Sequence, residues 1–198
     1  PRLSTLHEIT VHLITTKDDA AALRRKVSFK IIQSYADVEF EYIEDHACNP
    51  EMIPDESDGT KYYFLSLLQN IAFERSRDFD AIVFNYADFI WADGSLSASV
   101  SHLDGGDTDA VLTFCLPVDR TRGLASLQTF RDPEQGKLIL PSRAGARLAI
   151  SHMHREAKLR NWNGATFTRH PTYLFWEIPD EGVLIRAYHQ TILILRVK

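Results

Sequence analysis

The stretch DAIVFNYADFIWADGSL, residues 80–96, decides how this chain is read. Ala81 to Phe84 is a short β-branched and aromatic run, the pattern of a strand covered on both faces. Asn85, Tyr86, Ala87 and Asp88 carry the chain off the carboxyl end of that strand. Asp93-Gly94-Ser95 then supplies a turn and an N-cap for a helix from Ser95 to Leu103. In open α/β sheets, ligands bind in the crevice beyond strand carboxyl ends. Acidic residues at such an end suit a divalent cation, and a cation bridges to a phosphate. Asp88 and Asp93 suit a turn and a cap equally well, and the residues alone leave both readings open.

Upstream, Ile9 to Thr16 (ITVHLITT) reads as a strand, and its polar end from Thr15 to Asp19 suits the cap of a following helix. That helix, Asp19 to Gln33, carries Ala21, Leu23, Val27, Ile31 and Ile32 on one broad stripe. Val38 to Ile43 alternates apolar and acidic residues with period two, as a strand near a sheet edge does. Residues 45–60 form a polar loop with Pro50, Pro54 and Gly59. Lys61 to Arg77 returns to helical spacing through Tyr62, Leu65, Leu68, Ala72 and Phe73. Strand, helix, strand, helix, strand predicts a doubly wound α/β domain with a mostly parallel central sheet and helices on both faces.

Downstream, Asp104 to Asp109 (DGGDTD) reads as a turn, since its acids lack the spacing and distal Glu of a calcium loop. Ala110 to Leu116 (AVLTFCL) reads as a second buried strand, ending in PVDRTRG. Arg120 and Arg122, just past that end, suit forked hydrogen bonds to a diphosphate or a plain solvated turn. Residues 123–141 have no clear period. Ser142 is expected to cap a helix with Ala146, Ala149, Ile150, Met153 and Ala157 on its apolar face. His152 and His154 on that helix are two apart, so they face different sides and cannot share one metal. Three β-rich runs follow, Thr172 to Ile178, Val183 to His189 and Thr191 to Val197. The short Pro179 to Gly182 connection predicts a hairpin, and so a small antiparallel C-terminal β addition.

The composition bounds the class. The 198 residues are 44% hydrophobic, 11% aromatic and 25% charged, enough apolar material for one domain with a real core. A net charge of -5 argues against a nucleic-acid protein held by phosphate contacts. Two distant cysteines, Cys48 and Cys115, indicate neither a zinc site nor a disulfide scaffold, and a reducing, cytoplasmic setting is expected. No apolar run has the length of a membrane span, and no signal peptide is expected before the first strand. The chain begins at Pro1 without a methionine, so it is expected to be a piece of something longer or to begin within its domain.

An apolar strand, an acidic cluster, Ile90-Trp91 and then Asp93-Gly94-Ser95-Leu96 opening a helix resembles the central stretch of GT-A-fold glycosyltransferases. On their pattern of Asp, any residue, Asp, Asp, Ile, Trp, this chain has Tyr86, Ala87, Asp88, Phe89, Ile90, Trp91, and one carboxylate survives. Lys61-Tyr62, the IWADGSL segment, Arg120 and the runs His170 to Trp176 and Gly182 to His189 are similar to a little-characterised group of bacterial GT-A-like proteins. That resemblance covers most of the chain from about Ile9. It implies a single GT-A-like domain over 1–198, lacking the strand that precedes Ile9 in that group. It also implies a nucleoside-diphosphate sugar as donor, a glycan or small-molecule acceptor, and Mn²⁺ or Mg²⁺ as the metal, or none. By carry-over Asp88 is the metal or diphosphate contact, and His189 the second metal ligand.

Sugar transfer needs the leaving diphosphate stabilised, by a metal, by cations or by a helix N-terminus. Lys61, Asn85, Asp88, Arg120 and Arg122 are the donor-binding candidates. An inverting transfer also needs a carboxylate to take the acceptor's proton. Asp93, Glu177 and Asp180 are the candidates, and the sequence leaves the choice open. Trp162, Trp176 and Tyr188 suit stacking on a sugar ring or packing in the core. The competing expectation is a non-catalytic nucleotide- or partner-binding domain of the same fold. A Ser-His-Asp hydrolase finds no Gly-x-Ser-x-Gly elbow after a strand.

Overall fold

A computed structural model describes residues 7–46, 60–86, 88–134, 137–169, 171–179, 181–187 and 191–198, without the side chains of 60–63 and 191–193. The chain divides into two compact units, residues 1–82 with 196–198, and residues 83–195.

In the first unit, β1 (Thr10–Thr15) and β2 (Asp37–Tyr42) pair in parallel, from Thr10 opposite Asp37 to Thr15 opposite Tyr42. Parallel neighbours need a crossover, and two helices supply it: α1 (Lys17–Arg24) and α2 (Val27–Gln33). The single helix expected over Asp19 to Gln33 is therefore interrupted. Arg24, Arg25 and Lys26 place cations where a helix dipole is negative, and Lys26 adopts an extended ψ of 142° before α2 begins. Thr16 caps α1, its hydroxyl accepting the Asp19 N–H at 3.1 Å. Phe29 of α2 packs on Phe40 of β2 with ring centres 5.5 Å apart, and the Arg24 guanidinium covers the Phe40 ring at 4.4 Å. A longer helix, α3 (Thr60–Arg75), packs on β1.

The carboxylate of Glu41 sits where α3 meets the end of β2. It accepts Arg75 Nη2 at 2.8 Å and lies 2.6 Å from His46 Nε2, with its side chain only 15% exposed. The Arg75 hydrogen bond, opposed by burial and reinforced by His46, holds the Glu41 carboxyl below its ordinary value of 4.5.

The short strand β3 (Ala81–Val83) belongs to a three-stranded sheet ordered β3, β9 (Thr191–Arg196), β4 (Ala110–Thr113). Here β4 and β9 are antiparallel, with an irregularity between Val111 and Leu112. Between β3 and β4 lies α4 (Ser95–Asp104), whose N-cap is Gly94 at φ 77°, a left-handed conformation that glycine adopts without strain. The chain continues through α5 (Arg120–Leu127), the hairpin β5 (Arg131–Asp132) and β6 (Lys137–Leu138), α6 (Ser142–Ser151) and α7 (Arg155–Lys158). It ends in the antiparallel hairpin β7 (Tyr173–Ile178) and β8 (Gly182–Ala187), before β9. Ser142 is the first residue of α6 rather than its cap; Pro141 holds that position, and the Ser142 hydroxyl donates to the Asp93 carbonyl at 3.3 Å. The core of the second unit joins Met153, Ala157, Tyr173 and Phe175, packed by Phe114, Leu116, Val183, Ile185 and Ala187.

The expected mostly parallel central sheet of a GT-A-like α/β domain is therefore corrected. Among the described residues the structure is mixed α/β with small separate sheets, in which β1 and β2 pair in parallel and the pairs β4–β9, β5–β6 and β7–β8 are antiparallel. Both runs expected to be buried central strands fall short of that role. β3 spans three residues, and β4 alternates exposed and covered, with Leu112 52% exposed. An apolar run dictates that a segment seeks cover, but not which strand lies beside it. The antiparallel C-terminal hairpin forms as expected, whereas the last β run pairs in the β3, β9, β4 sheet.

Phe175→Ala is expected to cost about 3–5 kcal/mol, since its ring is 1% exposed at the centre of the core. Urea unfolding followed by circular dichroism measures this. The depressed Glu41 pKa contributes stability that is present above pH 4.5 and lost as pH falls through the lower folded value. Glu41→Gln should accordingly flatten the fall in melting temperature between pH 6 and pH 3.

Candidate functional site

Among the described residues, no hydrogen bond or ion pair joins one donor-site candidate to another. Asn85 Oδ1 accepts the indole N–H of Trp91 at 2.9 Å, which closes the 85–91 loop over the edge-to-face pairs Tyr86–Phe89 and Phe89–Trp91. Asp88 is exposed within that loop. Asp93 is also exposed, and its main chain is engaged: its N–H donates to the Leu140 carbonyl at 2.7 Å. Arg120 and Arg122 form the first turn of α5, where the Asp119 carboxylate accepts the Arg122 N–H at 2.9 Å. That backbone bond, helped by the Arg122 and His154 charges, holds Asp119 below its ordinary value. Lys61 is carried on α3 in the first unit, and its side chain lies outside the described residues. Asp180 and His189 also lie outside them. Among the described residues no group of three or more His, Cys, Asp or Glu is arranged to hold a metal. Among the described residues Asp88 by itself supplies fewer oxygens than a hard cation takes.

Glu177 differs from the rest because the fold builds a cleft around it. Residues 160–162 run beside β7: the Phe175 N–H donates to the Arg160 carbonyl at 3.1 Å, and the Trp162 N–H to the Phe175 carbonyl at 2.9 Å. Strand alternation places Phe175 and Glu177 on one face of β7. Asn161 Nδ2 donates to Glu177 Oε1 at 3.1 Å, while its Oδ1 accepts the Asn163 N–H at 3.0 Å. The turn that follows is tight: a Cβ on Gly164 would lie 3.1 Å from the Asn161 carbonyl oxygen and 3.3 Å from that of Thr166.

The resulting cleft has a volume of about 430 Å³, with Phe175 and Met153 at its apolar side and Asn161, Glu177, Arg155 and Lys158 among its polar groups. Arg155 and Lys158, one turn apart on α7, make no ion pair with a carboxylate among the described residues. α7 is set by His154, whose Nδ1 accepts the Glu156 N–H at 3.3 Å and whose own N–H donates to the Pro117 carbonyl at 2.8 Å. Close by in sequence, Trp162 packs on Trp176 (6.1 Å) and Phe167 (5.9 Å), and Trp162 is 58% exposed.

The cleft offers a paired amide and carboxylate for hydroxyl groups and two cations for an anion. Of its polar groups the sequence singled out Glu177; Asn161, Arg155 and Lys158 carry no motif, and the i, i+3 spacing of the two cations is their one local sign. Compared with protein families, with curated proteins and with solved structures, the chain matches none.

Asp88 has a second consequence. Partial burial of the thiol, and then the nearby Asp88 charge, push the Cys115 pKa above its ordinary value. Iodoacetamide should therefore modify Cys115 more slowly than free cysteine at pH 8, and Asp88→Asn should quicken it, as read by peptide mass spectrometry.

Proposed function

We propose that this chain binds a sugar nucleotide in the cleft between α7 and β7, and that sugar transfer from such a donor is the reaction the cleft serves. The observation that carries this reading is the hydrogen-bonded Asn161–Glu177 pair set beside Arg155 and Lys158 in one cleft. An amide and a carboxylate side by side present a donor and acceptors matched to neighbouring sugar hydroxyls. Arg155 supplies forked donors and Lys158 a point charge for phosphate oxygens, which also stabilise charge on a leaving diphosphate. In the transfer reaction Glu177 is the carboxylate in place to take an acceptor proton. A volume of about 430 Å³ suits part of a sugar nucleotide, with the remainder lying along the open side. Trp162 and Phe167 offer exposed rings near the same loop.

The non-catalytic alternative shares this cleft and differs in turnover. Titration calorimetry with UDP, GDP and their hexose conjugates tests binding, and release of free nucleoside diphosphate tests transfer or slow donor hydrolysis. Arg155→Ala should weaken binding about tenfold or more, the effect of losing a charge-assisted hydrogen bond. Glu177→Gln should spare most of the affinity and abolish turnover. Absence of binding by every nucleotide and conjugate would overturn the proposal. Binding without turnover would identify a recognition domain.

A further inference from the structure

We propose that Ser126 and His152 form a nucleophile–base pair that cleaves esters carrying an anionic group, in a groove separate from the α7–β7 cleft. Ser126 Oγ lies 2.7 Å from His152 Nε2. The two residues are 26 apart and meet because α5 packs on α6. Both line a groove of about 480 Å³ whose residues do not overlap those of the other cleft. Its walls include Phe130 and Leu148, and α6 adds Arg143 and Arg147, one turn apart.

The main chain of His152 is held on both sides. The His152 N–H donates to the Leu148 carbonyl at 3.0 Å, and its carbonyl accepts the Asp119 N–H at 2.7 Å. With the ring proton on Nδ1, Nε2 accepts from the Ser126 hydroxyl, which is the arrangement of a general base on its nucleophile. Among the described residues no carboxylate is bonded to the ring, so the pair is a dyad. Arg143 and Arg147 are exposed and make no ion pair with a carboxylate among the described residues, leaving two guanidinium groups for a substrate carboxylate or phosphate. Ser126 lies in the last turn of a helix rather than on a strand-to-helix elbow, so no local sequence motif marks it.

In the reaction, Ser126 Oγ bonds to the ester carbonyl carbon as its proton passes to His152 Nε2. The tetrahedral intermediate expels the alcohol, which takes that proton as the carbon–oxygen bond breaks. Water, giving a proton to His152, then attacks the acyl-serine; the carboxylic acid leaves and Ser126 regains its proton.

An alkyl fluorophosphonate, followed by peptide mass spectrometry, tests the pair. Phosphonylation of Ser126 in the intact chain is expected, slowed about 100-fold or more in His152→Gln, which keeps polar atoms without a base. Circular dichroism checks that this variant is folded. The ratio of hydrolysis rates for an anionic 4-nitrophenyl ester over 4-nitrophenyl acetate should fall about tenfold in Arg143→Ala/Arg147→Ala. No modification of Ser126, or equal modification in His152→Gln, would overturn the dyad. An unchanged ester ratio would overturn the anionic-substrate assignment.

Discussion

The second unit depends on the burial of Phe175. Its ring is 1% exposed against Met153, Ala157 and Tyr173, and its main-chain N–H and C=O both bond to residues 160–162. On its other edge β7 pairs with β8, where Phe175 stands opposite Ile185. The bridge to residues 160–162 satisfies Phe175's own N–H and C=O groups at the centre of β7. The 160–162 segment is thereby fixed, and with it Asn161, whose side chain reaches Glu177 two residues along the same face of β7. Hydrophobic burial thus sets the position of a polar pair that has little stabilising power of its own.

The two units treat charge differently. In the first, cations and carboxylates meet: Lys17 lies 2.7 Å from Asp45, Arg75 and His46 both meet Glu41, and Arg77 meets Glu74. Of these, Lys17–Asp45 and Arg77–Glu74 are exposed and add little stability, their effect being to neutralise one another. In the second unit, Arg143, Arg147, Arg155 and Lys158 line two concave surfaces without a carboxylate partner among the described residues. Unpaired cations in a concavity raise the local potential for anions even in a chain of net charge -5. Anionic ligands are accordingly the chemistry proposed for both surfaces. No helix among the described residues is long and apolar enough to cross a membrane.

Individual elements were legible along the chain because their signals are local. The helix at Ser95–Asp104, the strands at Thr10–Thr15 and Asp37–Tyr42, and the hairpin closed before Gly182 follow from spacing and turn chemistry within a few residues. The crossover between β1 and β2 also reads correctly, although three successive cations divide its helix. Glu177 was one of three carboxylates the sequence offered, with Asp93 and Asp180, and it lines a cleft.

The sequence by itself determined segment type and the final hairpin, since each is governed by neighbours close along the chain. Tertiary structure alone decided that β9 lies between β3 and β4, that Asn161 meets Glu177, and that Ser126 meets His152. Those contacts join residues 16, 26 or more positions apart. The apolar pattern of Ala110 to Thr113 states that a strand needs a neighbour, and β9 became that neighbour. The partner is chosen by global packing, because hydrophobic cover is non-directional and many strands satisfy it equally.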